Sequence, residues 1–266
     1  MMKKTQSNEF LVEIFSLIII LTIVQALWAT MVRPHAAAIS AANLAAMTAD
    51  KNFVPARDMY TILQEYEPET CVILSLWAFF IIGYKATAIV RSRRMLETDL
   101  LELPPGVRIL PGDSREYARQ IEALPAKVQS ELLPRALLSG LHRFGATHNI
   151  QDVATAVRET CNLETDRLDS ELSTVRFVAW AIPAIGFVGT VRGIGNSLQQ
   201  AHKAVEGDVS GVVAGLGTSF NSTLVALSLS IVVMLCLHQM QQRQERVVLD
   251  TENYLDTHLV RHLQMA

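Results

Sequence analysis

Thr190 and Thr223 are the residues whose type and spacing most suggest chemistry. They stand equally far from a turn centred near Glu206 and Gly207. In an antiparallel pair of straight helices they lie side by side. Around Thr223, Ser219 and Ser230 fall near one face at i−4 and i+7, and Ser222 adjoins it. Around Thr190, Gly186 and Pro183 do so at i−4 and i−7. A hydroxyl stripe therefore faces a groove of small residues. Hydroxyls buried in a membrane can ligate a passing cation or order a water chain. They can equally bond their own backbone or a neighbouring helix and do nothing else. The pattern leaves both open. Pro183 also frees a carbonyl one turn earlier, which needs water or a partner helix to satisfy it.

Charge near this pair is sparse. Arg192 lies two residues beyond Thr190, at the expected mouth of the groove, where it either snorkels or pairs with Glu206 or Asp208. A functional alternative is that it biases a partner's carboxylate or repels cations until a gate opens. The cores of the apolar runs hold no Asp or Glu, and Glu13 lies within a turn of an edge. A proton path normally needs an ionisable group in the membrane, so any titrating acid is expected from another chain. Cys71, Cys161 and Cys236 share no metal spacing and read as buried reduced thiols. No His, Cys or carboxylate set has nucleophile or metal spacing, so an enzyme, a metal and a cofactor are not expected. The net charge of −3 offers nothing to nucleic acid.

The elements that must position these residues are long. Half the chain is apolar, gathered in blocks of the roughly 20 residues a membrane helix needs. Four spans are predicted, at 10–31, 71–90, 177–198 and 209–237, each helical because lipid leaves no backbone group unpaired. Trp28 marks the far end of the first span as an interfacial anchor, and Pro68 suits the start of the second helix. The first run exceeds a signal-peptide core, although the Ala-rich stretch after it offers small residues for cleavage. Lys3, Lys4, Arg91, Arg93, Arg94, Arg167, Arg176, Arg243 and Arg246 flank one side of the spans. The positive-inside rule then puts both termini and residues 91–176 in the cytoplasm.

That segment is expected to be helical. Turns are marked at 103–106 and 110–113. Ser114 is read as the cap of a short helix through Ala123, Pro125 and Pro134 as first-turn residues, and Asn149 as the cap of a long helix. Val153, Val157, Cys161, Leu168, Leu172 and Val175 then recur at helical spacing, predicting one continuous helix over 151–198. Its polar face, from Arg158 to Glu171, is read as solvated, with docking the alternative. No breaker follows the fourth span through residue 266, so that helix is also expected to run on.

The run IPAIGFVGTVRGI at 182–194 resembles the third-helix motif of flagellar stator A subunits and the matching run of TolQ and ExbB. The run FNSTLVAL at 220–227 resembles part of their last helix. Thr190 and Thr223 fall on the two pore threonines of TolQ and ExbB, and Pro183 on the stator proline. The chain is thereby identified as resembling the MotA/TolQ/ExbB proton channel family over about residues 175–240. The resemblance implies a homopentamer around two copies of a single-span partner like ExbD, TolR or MotB, whose membrane aspartate titrates as ions pass. It implies a proton as the transported ion, with sodium the alternative, and no other cofactor. ExbB has a glutamate where this chain has Thr218, so acid-mediated coupling there is absent. Four spans with both ends inside resemble MotA, yet no charge cluster matches the stator torque surface.

The expected architecture is an all-α, four-span membrane protein whose third and fourth helices extend into a helical cytoplasmic domain. Its segments are 1–31, a periplasmic 32–70, 71–90, a cytoplasmic 91–176, 177–198, a periplasmic turn 199–208, 209–237 and a tail 238–266. The expected function is the ion-channel subunit of an inner-membrane motor driven by the proton motive force. Its expected pore is lined by Thr190, Thr223, Ser219, Ser222, Ser230, Pro183 and Gly186, with Arg192 at the mouth. A non-conducting scaffold is the alternative.

Overall fold

The computed structural model describes residues 2–49, 58–101, 104, 106–205 and 209–265. Its helices are α1 (Met2–Leu27), a π turn (Trp28–Val32), α2 (Arg33–Ala49), α3 (Met59–Leu63) and α4 (Tyr66–Met95). Then come α5 (Ser114–Glu122), α6 (Ala126–Gln129), α7 (Leu132–Thr147), α8 (Ile150–Glu171), α9 (Ser173–Gln199), α10 (Ala201–Val205) and α11 (Ser210–His258). No strand occurs among the described residues, and an isolated bridge joins Ile109 to Leu263. Four helical stretches are long and apolar enough to cross a membrane, within Leu11–Asn43, Tyr66–Met95, Ile150–Gln199 and Gly211–His262. The protein is an all-α, polytopic membrane protein.

The chain divides into two compact units, one of Met1–Ile82 with Thr174–Leu237, the other of Gly83–Ser173 with His238–Ala266. In the first, Val24, Trp28, Val32 and Ala36 recur every four residues and are all buried. The first three pack with Ile73 of α4. Trp28 is 5% exposed and its indole N–H donates to the Leu63 carbonyl at 2.9 Å. The residue read as an interfacial anchor is thus held inside the unit by the segment that follows α2. The π turn has a local cause. Pro34 lacks an N–H and its ring crowds the Thr30 carbonyl. Widening the turn sends the Arg33 N–H back five residues, to the Trp28 carbonyl. The opposite face of α1 leaves Phe15, Ile18 and Ile23 exposed, a surface that suits acyl chains.

The second unit has a core of large apolar side chains. Leu137, Leu141 and Phe144 of α7 meet Val153, Val157 and Cys161 of α8 and Leu255 and Leu259 near the end of α11. Asn149 caps α8, its side chain accepting from the Gln151 N–H at 2.9 Å. Pro134 lies in the first turn of α7, while Pro125 sits one step earlier than expected, at the N-cap of α6. Ser114 is not a cap. Asp113 holds the N-cap position, and the Ser114 hydroxyl turns back to the Pro111 carbonyl at 2.7 Å.

One expected continuity fails and another holds. The helix predicted over 151–198 is interrupted at Leu172, whose φ of −92° and ψ of 0° tighten the chain between α8 and α9. Its N–H bonds to the Asp169 carbonyl at 3.2 Å, three residues back, and its side chain is fully buried. The fourth helix does run on past its span, as expected, and α11 is unbroken from Ser210 to His258. Burial of Leu259 and Leu263 turns the chain through a 3-10 turn (Val260–His262) and back to Ile109, whose N–H bonds to the His262 carbonyl at 2.8 Å.

Candidate functional site

The groove predicted from the sequence is a tight seam between α9 and α11. Glycine permits it. A Cβ on Gly186 would lie 2.5 Å from the Ala226 Cβ, and one on Gly189 would lie 2.7 Å from the Ser222 Cβ. Gly193 likewise meets Ser219, and Gly215 meets Ser197. Backbones this close exclude any larger residue, the packing that membrane helices use where lipid gives no hydrophobic drive.

Pro183 sits inside α9 and is half-buried. The carbonyl it frees, that of Ala179, accepts from the Ser230 hydroxyl of α11 at 3.2 Å. Two turns on, the Thr223 hydroxyl donates to the Gly186 carbonyl at 2.9 Å. Between them, the buried Cys71 thiol of α4 points at the Ile182 carbonyl, Sγ to O 3.7 Å. The irregular stretch of α9 is therefore held by side chains from two other helices. Ser219 bonds to the Gly215 carbonyl of its own helix at 2.7 Å, and Thr190 to the Phe187 carbonyl of its own at 2.7 Å. Thr223, Ser230, Gly186 and the carbonyl before Pro183 come together in the seam. Ser222 and Ser219 join through Gly189 and Gly193. Thr223 stands against Gly186 and not against Thr190, whose hydroxyl stays on its own helix. The side chain of Thr218 lies outside what is described.

Arg192 pairs with acids that the sequence reading did not single out. The expected partners Glu206 and Asp208 lie outside the described residues; among the described ones the guanidinium bonds to the start of α4. Arg192 Nε and Nη2 reach the two carboxylate oxygens of Glu67 at 2.8 and 2.9 Å, and Nη2 also reaches Glu65 at 2.5 Å. Glutamates suit that place because a helix N-terminus favours negative charge.

The stretch 128–253 matches the model of the MotA/TolQ/ExbB proton channel family. That stretch of the chain is similar to the family. No curated protein and no solved structure matches the chain. The matched stretch contains α7 to α10 and most of α11, hence both sides of the seam. The family is one of multi-pass membrane channels, not of enzymes.

Two charged groups of the protein escape sequence reasoning. Glu65 and Glu67 register there only as acids outside the spans. Their alternating spacing with Glu69 just before an apolar run was the available signal. Glu69 faces another way from Glu67 and pairs with Arg33 at 2.6 Å. Lys85 is the one charged residue of 71–90. Within the second unit it is 5% exposed and pairs with Glu171 at 3.0 Å, the last residue of α8 before the break. A lone lysine in an apolar run signals a buried partner, but the sequence does not say which acid it is.

Proposed function

We propose that this protein is the ion-conducting subunit of a motor in the bacterial inner membrane, driven by the proton motive force, with both termini in the cytoplasm. The observation that supports it is the seam inside the family match: backbones in contact, hydroxyls bonded along them, and no acid within 177–205 or 209–237. A proton path lacking its own membrane carboxylate calls for one from elsewhere. In this reading the acid is an aspartate on a single-span partner of the ExbD, TolR or MotB kind. Five copies of the chain surround two of that partner. The ion is a proton, with sodium the alternative, and its passage does mechanical work on an envelope target.

The test is the complex isolated from its native membranes and returned to vesicles, with ion uptake recorded. Replacing both Thr190 and Thr223 with Val is expected to remove ion-driven uptake while the assembly keeps its size. One lost interhelical hydroxyl bond costs about 0.6 kcal/mol in a membrane, too little to dismantle the hairpin. Full uptake by the double variant refutes the assignment.

One observation favours a second reading. The hydroxyls of Thr190, Thr223, Ser219 and Ser230 each already donate to a carbonyl of this chain. A scaffold that only packs helices would look the same here. Copurification with a single-span protein bearing a membrane Asp separates the two, because a scaffold has no need of that acid.

A further inference from the structure

If α9 and α11 conduct, Arg192 places a positive charge at the turn end of the seam, where it opposes cation passage. Its surroundings cancel that charge more than once. Glu67 takes both Nε and Nη2, and Glu65 shares Nη2. Two carboxylates against one guanidinium leave this trio formally one negative. Side-chain exposure falls from 41% at Arg192 to 27% at Glu65 and 10% at Glu67. The charge thus grades inward from open surface toward the seam. At its inner end, Glu67 touches the seam itself: its Cγ lies 3.3 Å from where a Cβ on Gly189 would stand, beside Ser222.

Packing alone does not call for this arrangement. A neutral side chain at position 67 would fill the same contact without desolvating a carboxylate, and one acid suffices to neutralise one arginine. Glu69 adds nothing to the trio, since it belongs to Arg33 on another side of α4. We propose that Glu65 and Glu67 are specificity-determining residues: by over-compensating Arg192 they keep this mouth of the seam open to cations and closed to anions. The inference rests on the reading of the α9–α11 hairpin as conducting.

The test uses the complex isolated from native membranes, in vesicles with an entrapped pH dye, with proton uptake driven by a potassium diffusion potential. Arg192→Gln is expected to raise uptake several-fold. Glu65→Gln with Glu67→Gln is expected to lower it about tenfold or more, since Arg192 then stands alone. Adding Arg192→Gln to that pair should restore uptake to within about threefold of wild type, because the charges act as one set. Assembly size is measured alongside. A purely structural ion pair predicts the opposite sign for Arg192→Gln: uptake falls, with or without loss of assembly, and that result overturns the proposal. So does unchanged uptake in the double glutamate variant. If that variant fails to assemble, the sign of Arg192→Gln decides alone. Absence of uptake in the wild-type complex removes the conducting reading and this inference together. Wild-type uptake with unmoved variants removes only this inference.

Discussion

The seam of α9 and α11 and the core of the second unit bury opposite kinds of side chain. The core buries Leu137, Leu141, Phe144, Leu255 and Leu259, large groups with nothing polar to satisfy. The seam buries Gly186, Gly189, Ser219, Ser222 and Ser230. Water explains the first, because removing large apolar surface from it is the main drive for folding. Lipid explains the second. Acyl chains are as apolar as leucine, so helices there gain from close backbones and hydroxyl bonds. The comparison breaks most visibly at Phe144, which is fully buried. Phe144→Ala is expected to destabilise the second unit by about 3–5 kcal/mol, through lost transfer energy and a cavity. Thermal melting of the purified protein checks it. A loss under about 1 kcal/mol would mean the core collapses around the gap and is not packed as described.

This contrast also governs what can be read from the sequence. Long apolar runs and helical stripes are local, so the four spans and the stripe of α8 are legible, as is the cap at Asn149. The hairpin itself is legible because the two helices share one short turn, but its register is not: equal spacing from the turn sets Thr223 beside Thr190, and the packed glycines set it against Gly186. Partner choice across the fold is not local. Nothing near Arg192 in the chain points to Glu65 and Glu67, more than 120 residues earlier. Nothing near Lys85 points to Glu171. The break at Leu172 is equally hidden, because the stripe of Val153, Val157 and Cys161 runs through it without a Gly or Pro. Tertiary burial of one leucine decides it.

A middle-sized effect sharpens the comparison at Pro183. In the seam, proline and hydroxyl are one device: the carbonyl that Pro183 cannot satisfy is taken by Ser230. Ser230→Ala is therefore expected to cost about 0.6–1.7 kcal/mol of hairpin stability, the range for hydroxyl bonds between membrane helices. In a Pro183→Ala background the N–H of residue 183 returns to the Ala179 carbonyl, and the same Ser230→Ala change should cost almost nothing. A double-mutant cycle in detergent, read by denaturant unfolding, measures the coupling. Additive losses would mean Ser230 matters for its volume, with no link to the proline.

The smallest effect lies at the surface of the second unit, where water weakens what the seam enforces. Arg158 and Glu252 approach to 3.3 Å, but with side chains 73% and 35% exposed. Solvent screens such a pair, so Glu252→Gln should change stability by less than about 0.5 kcal/mol. The variant carries a second readout. Cys161 lies buried in the core of this unit, outside the spans at 71–90 and 177–198. Burial, then the charge of Glu252, pushes its thiol up to about 11. The folded state thus holds this proton more tightly than the unfolded chain. That contribution is complete below pH 9 and is lost as pH rises from about 9 toward about 11. Removing Glu252 moves the thiol downward, but burial is the larger cause. Cys161 should therefore stay slow toward iodoacetamide at pH 8 in both wild type and variant, by site-resolved mass spectrometry. Rapid labelling in the variant would show that a surface charge, and not the packed core, sets the chemistry of this thiol.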